Sequence, residues 1–140
     1  MALLGATVLL VSCTPGRAKG APLPPSPDQF DVVMTEYAFR HPPTVATGRQ
    51  VFRVTNAGNA PHSLVLVALA DDVPPILEQL RSDTRRGTPT LAKLLPRPPG
   101  SHDTFAVELP AGRYGLVCFV TASDGLSHAV KGMASEFRVE

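Results

Sequence analysis

The sequence predicts an all-β protein, a Greek-key β-sandwich with a short helical excursion between strands. About seven short strand signals over ~110 residues, set apart by turn residues, give the spacing of a sandwich. Fifteen prolines and eleven glycines in 140 residues favour turns and strands over long helices. An apolar content of 44% against 18% charged residues supplies a core for one domain.

The strands follow in order. Phe30-Asp31-Val32-Val33-Met34-Thr35 opens the domain, and Tyr37-Ala38-Phe39-Arg40 continues it with alternation. Gln50-Val51-Phe52-Arg53-Val54-Thr55 alternates strictly before the turn Asn56-Ala57-Gly58-Asn59. Ser63 to Leu69 is a continuous apolar run, short enough for a core strand. Thr104 to Leu109 and Tyr114 to Val120 flank Pro110-Ala111-Gly112, which reads as a tight hairpin turn. Glu136 to Glu140 closes the chain as an alternating strand. Between Asp71 and Arg97 the period changes. Ile76, Leu77 and Leu80 share one helical face, as do Leu91, Leu94 and Leu95, which predicts two short helices split by Thr88-Pro89.

Ahead of the domain, residues 1–12 are almost wholly apolar and lead to Cys13. A bilayer-spanning helix needs ~20 apolar residues, so the run has the length of a signal-peptide apolar region instead. Leu10-Val11-Ser12-Cys13 resembles the bacterial lipobox, which implies lipidation of Cys13 and an extracytoplasmic, membrane-anchored location. No Lys or Arg precedes the run, which places the expected start of the signal peptide upstream. Residues 13–28, rich in Pro, Gly and Ala without apolar periodicity, read as a tether, and residues 29–140 as the domain. A net charge of +1, no Trp and 6% aromatic residues argue against nucleic-acid binding.

With Cys13 acylated, Cys118 is a lone thiol outside the cytoplasm, where burial or a metal must protect it. Downstream of Cys118 come His128 and Met133, and far upstream stands His62, at the mouth of the apolar Ser63–Leu69 run. A thiolate and two imidazoles with a weak axial thioether form the ligand set of an electron-transfer copper centre. Taken singly, each has a plainer role: His62 as a strand-end residue, Cys118 as a small buried apolar group, Met133 as core filler. His41 and His102, beside prolines or in a polar loop, are assigned to solvent. Arg81, Arg85, Arg86, Lys93 and Arg97, with Glu78 and Asp83 among them, read as a solvated face.

In these segments the chain resembles the cupredoxins, the plastocyanin and azurin family. Asn56-Ala57-Gly58-Asn59-Ala60-Pro61-His62 is similar to the family's first-histidine segment, and Tyr114-Gly115-Leu116-Val117-Cys118 to the strand that delivers its cysteine. His128-Ala129-Val130-Lys131-Gly132-Met133 has the plastocyanin-like gap of four residues. The resemblance implies copper held by His62, Cys118 and His128, with Met133 axial. One departure stands out: nine residues separate Cys118 from His128, more than the family usually places there. A hairpin centred on Ser123, helped by Asp124-Gly125, would set Cys118 opposite His128 with Cβ atoms about 4.5–5.5 Å apart.

The expected function is a lipid-anchored, monomeric one-electron copper carrier serving redox partner proteins. The alternatives are a copper-holding or trafficking protein, and an interaction domain that has lost its metal. Catalysis by Cys118 as nucleophile with His128 as base lacks a visible oxyanion device or orienting group.

Overall fold

The computed structural model describes residues 28–82 and 87–140. The apolar leader, Cys13 and the tether up to Pro27 lie outside these residues, as do Asp83, Arg85 and Arg86. The described chain runs β1 (Asp28–Thr35), β2 (Ala38–Arg40), β3 (Thr44–Val45), β4 (Gly48–Asn56), β5 (His62–Leu69), α1 (Ile76–Arg81), β6 (Thr90–Arg97), β7 (His102–Leu109), β8 (Gly112–Val117) and β9 (Ala134–Val139). One sheet has the order β2-β1-β4-β7 and the other β3-β9-β8-β5-β6. Both are mixed, with β1 parallel to β4 and β3 parallel to β9. The result is the expected β-sandwich.

Period-two alternation builds its core. Phe30, Val32 and Met34 of β1 and Phe52 and Val54 of β4 point inward, while Asp31 and Arg53 meet as an exposed ion pair at 2.6 Å. They face Leu64, Leu66, Leu116, Phe137 and Val139 from the second sheet. The unbroken apolar run of β5 is explained by burial on both faces. Leu64 and Leu66 enter the main core, and Val65, Val67 and Leu69 join Ile76, Leu80 and Val117 in a second cluster beneath α1. Gly115 makes room for that helix: a Cβ there would lie 2.7 Å from Ile76 Cδ1.

Three expectations need correction. Leu91, Leu94 and Leu95 lie on a strand, β6, paired antiparallel with β5. Half-buried Ala92 and Leu94 pack on the core, whereas Leu95 is 65% exposed. Backbone pairing with β5 outweighed the helical spacing of the leucines, and Pro96 is tolerated because β6 is an edge strand. Pro110-Ala111-Gly112 is a crossover between sheets: β7 pairs with β4, and β8 with β5 and β9. The Tyr114 hydroxyl donates to the Pro110 carbonyl at 2.7 Å and fastens this corner. His41 is half-buried, its Nε2 2.8 Å from Ser135 Oγ and its ring beside Phe30 and Phe137. His102 is exposed as expected, bonded to Thr55 Oγ1.

The topology gathers several chain ends at one pole. β5 begins there with His62, β8 ends one residue before Cys118, and β9 begins one residue after Met133. The β1–β2 turn, Glu36-Tyr37, reaches the same place.

Candidate metal centre

His62 owes its position to the polar turn before it. Asn56 is buried, and its side-chain amide donates to the carbonyls of Ala60 and Arg97, both at 2.9 Å. Its Oδ1 accepts from the Gly58 N–H at 3.0 Å. Both donors and one acceptor site of a buried amide are thus spent on fixing this turn. The chain then enters β5 with the imidazole already turned inward and 0% exposed.

Cys118 follows β8 and is also fully buried. Its N–H donates to the Met133 carbonyl at 3.1 Å, continuing the β8–β9 ladder by one bond. The sulfur receives the Ser63 N–H at 3.3 Å and the Ser63 hydroxyl at 3.6 Å. The two donors hold the sulfur in place beside the start of β5.

The nine residues after Cys118 do not form the hairpin expected. The bridge pairs Thr121 with Ser127, so the reversal is centred on Asp124 rather than Ser123. Continued as a ladder, that register would set Cys118 against Val130. Instead the ladder stops, because the chain turns back over residues 127–132 through Lys131 N–H to Ser127 carbonyl and Gly132 N–H to Ala129 carbonyl bonds. His128 is drawn in by its N–H to the Val120 carbonyl at 2.8 Å, and its carbonyl accepts from Met133 N–H at 2.8 Å. The extra length is absorbed in a small projection, closed by an ion pair between Lys131 and Asp124.

Three side chains converge as a result. His62 Nδ1 and His128 Nδ1 are 3.1 Å apart, and His128 Nδ1 is 3.6 Å from Cys118 Sγ. Their donor atoms all lie within 4.8 Å of one another. Nitrogen and sulfur donors about 2.1 and 2.3 Å from one ion would subtend about 95° and 110° at these separations, ordinary angles for a compact site. The residues present therefore fit a first-row metal ion. Met133 is buried in the main core and is tied by backbone bonds to both Cys118 and His128.

The electrostatics suit the same purpose. Burial holds His62 below its usual pKa, with Glu36 opposing the shift. Burial also lowers His128, assisted by the positive charge of His62 and Lys131. Neutral imidazoles offer lone pairs; protonated ones do not.

Several contributors carry no motif of their own. Glu36 Oε1 lies 3.5 Å from His62 Nε2, Tyr37 stacks edge-on to His128 at 5.0 Å, and Ser63 serves the sulfur. The one available signal for the first two was the break in alternation between Thr35 and Ala38.

No family model matches the sequence, and no curated protein matches it. Solved structures do. Reduced auracyanin from the photosynthetic bacterium Roseiflexus castenholzii is 21% identical, with a TM-score of 0.58 over 83% of this chain and 99% of that one. Auracyanin B is 19% identical, with a TM-score of 0.56 over 84% and 93%. Auracyanin A of Chloroflexus aurantiacus, described as a blue copper protein, is 16% identical, with a TM-score of 0.55 over 82% and 100%. At these identities the likeness is one of fold.

Proposed function

We propose that this chain, which folds as a cupredoxin, is a mononuclear copper protein that carries single electrons and is held outside the cytoplasm, in the periplasm or at the cell surface, by a lipid on Cys13 that anchors it to a bacterial membrane. The observation that carries this reading is the convergence of His62 Nδ1, Cys118 Sγ and His128 Nδ1 in one buried cluster. Soft sulfur favours Cu(I) and imidazole accepts Cu(II), so copper would supply a one-electron couple with both states tolerated. A structural zinc site would instead take a fourth strong ligand. Met133, buried and tied by backbone bonds to Cys118 and His128, would add only a weak thioether to the three donors.

The protein's own part is to hold the donors still. Cys118 and Met133 are joined across a ladder end, His62 begins a strand, and His128 is bound back to Val120 and Met133. A framework with these bonds resists rearrangement when the charge of the ion changes. Cys118 is sealed and occupied by Ser63, which opposes a nucleophilic role for its sulfur. Redox partners would meet the pole of the molecule where Tyr37, Phe119, Leu126 and Val130 are exposed.

The test is addition of Cu(II) to the metal-free chain. An intense visible thiolate-to-copper band is expected, absent in Cys118→Ser, with weaker metal retention in His62→Ala and His128→Ala. A colourless wild-type protein at equimolar copper would return the reading to an empty interaction domain. Reversible voltammetry separates a carrier from a copper store. No helix among the described residues is long and apolar enough to cross a membrane. Anchoring is tested by Cys13→Ala, which should leave the membrane fraction, since stable attachment takes two acyl chains or an equivalent second signal.

A further inference from the structure

Glu36 and Tyr37 form the two-residue turn between β1 and β2, and Tyr37 is the one non-glycine residue with positive φ, 59°, among those described. A turn held in this sparsely populated conformation is fixed by its surroundings. Each of its residues meets a different histidine of the cluster. The Tyr37 ring stands edge-on to His128, and the Glu36 carboxylate faces the far nitrogen of His62.

The second contact is built from both sides. Glu36 Oε1 accepts from the N–H groups of Asn59 at 2.5 Å and Ala60 at 3.0 Å, so the carboxylate is pinned to the turn that delivers His62. Those bonds hold its pKa below the usual carboxylate value. His62 Nε2 is buried without a hydrogen-bond partner, and the Glu36 carboxylate stands 3.5 Å from it at ion-pair distance. Gly58 is the third component. A Cβ at position 58 would lie 2.6 Å from Glu36 Oε1 and 2.8 Å from His62 Nε2, so this backbone passes against both groups only because it carries no side chain.

From this arrangement we infer that Glu36 is a positioning residue of the metal centre. It keeps His62 in the tautomer with the proton on Nε2 and the Nδ1 lone pair toward the ion, and its negative charge biases bound copper toward Cu(II). The inference rests on the copper reading for its second half only. A carboxylate on the outer nitrogen of a ligating histidine fixes the ring and makes it a better donor. The added negative charge favours the more highly charged ion, so it acts on Cu(II) more than on Cu(I).

The experiment uses the full chain in detergent, as wild type, Glu36→Gln, Glu36→Ala and Gly58→Ala. Nitrogen-15 NMR of the metal-free proteins reports the His62 tautomer without copper. Wild type should show protonated Nε2, and Glu36→Ala a mixture of tautomers. Glu36→Gln keeps an oxygen for the Asn59 and Ala60 N–H groups, so the turn is retained while the charge is lost. Competition titrations with Cu(II) and Cu(I) should then show the Cu(II):Cu(I) affinity ratio falling about tenfold, a rise of about 59 mV for one electron. Gly58→Ala, whose Cβ would crowd both the Glu36 carboxylate and the His62 ring and so part the pair, should shift the ratio in the same direction. A wild-type His62 protonated on Nδ1 overturns the positioning role. An unchanged affinity ratio in both Glu36→Gln and Gly58→Ala overturns the redox role. Failure of the wild type to bind copper removes the redox role together with the copper reading, and the tautomer measurement still decides the positioning role.

Discussion

Met133 separates holding the metal from tuning it. In the proposed centre its thioether would be a weak donor beside one thiolate and two imidazoles, so most of the binding energy would belong to His62, Cys118 and His128. Met133→Leu conserves volume in a fully buried site and should cost under about 1.5 kcal/mol of stability. Copper should stay bound, but with a raised reduction potential, because removing an axial donor disfavours Cu(II). Met133→Gln should lower the potential, since a carbonyl oxygen is a harder donor. Voltammetry on the three proteins, with copper content measured in parallel, checks both directions. Three equal potentials would make Met133 a packing residue alone.

Among the elements, α1 and the Cys118–His128 segment make opposite predictions. α1 lies against Gly115, where a Cβ would meet Ile76 Cδ1 at 2.7 Å and Val67 Cγ2 at 3.2 Å. Gly115→Ala should therefore turn the Ile76 side chain aside, costing about 0.5–1.5 kcal/mol in urea unfolding. The projection between Thr121 and Ser127 should be dispensable. Ala122 N–H already donates to the Leu126 carbonyl just beyond their bridge, so replacing residues 123–125 by a two-residue Asn-Gly turn preserves the approach of His128. The chief loss is the Asp124–Lys131 pair, a surface contact that water screens. Cu(II) affinity should remain within about threefold of wild type if the strong donors alone set it. The same elements show what was legible in the sequence. β1, β4 and β5 were readable because alternation or unbroken apolar character coincides with their burial. β6 was not, because its leucines fall at helical spacing on a strand with a largely exposed outer face. The crossover at Pro110 is invisible to local signals, since a tight turn within a sheet and one between sheets use the same residues. In the site, the order of His62, Cys118, His128 and Met133 was readable. The route of the chain from Cys118 to His128 depends on backbone bonds to Val120 and Met133 that no motif encodes.

For the molecule as a whole, the buried histidines set the dependence of stability on pH. Both have folded pKa values below 6.5, chiefly because burial disfavours the charged ring. Unfolded, they take up protons near 6.5, so below that pH the unfolded chain binds more protons than the folded one. Stability of the metal-free protein should fall as pH drops through this window and level off above it. Thermal unfolding midpoints at about pH 7.5 and pH 5.5 compare the two regimes, and a flat profile would contradict the assignment. Burial of these rings also has a kinetic side. With His62 and Cys118 at 0% and His128 at 3% exposure, a hydrated ion in solution has little access to these three side chains while the fold is closed. Copper exchange then becomes a matter of how often the pole opens, through the Glu36-Tyr37 turn or the 121–133 segment. Uptake followed by stopped flow should reach a ceiling that no further copper raises, the opening rate itself. Electrons need no such opening, so one closed fold can turn over its charge rapidly while keeping its metal for far longer.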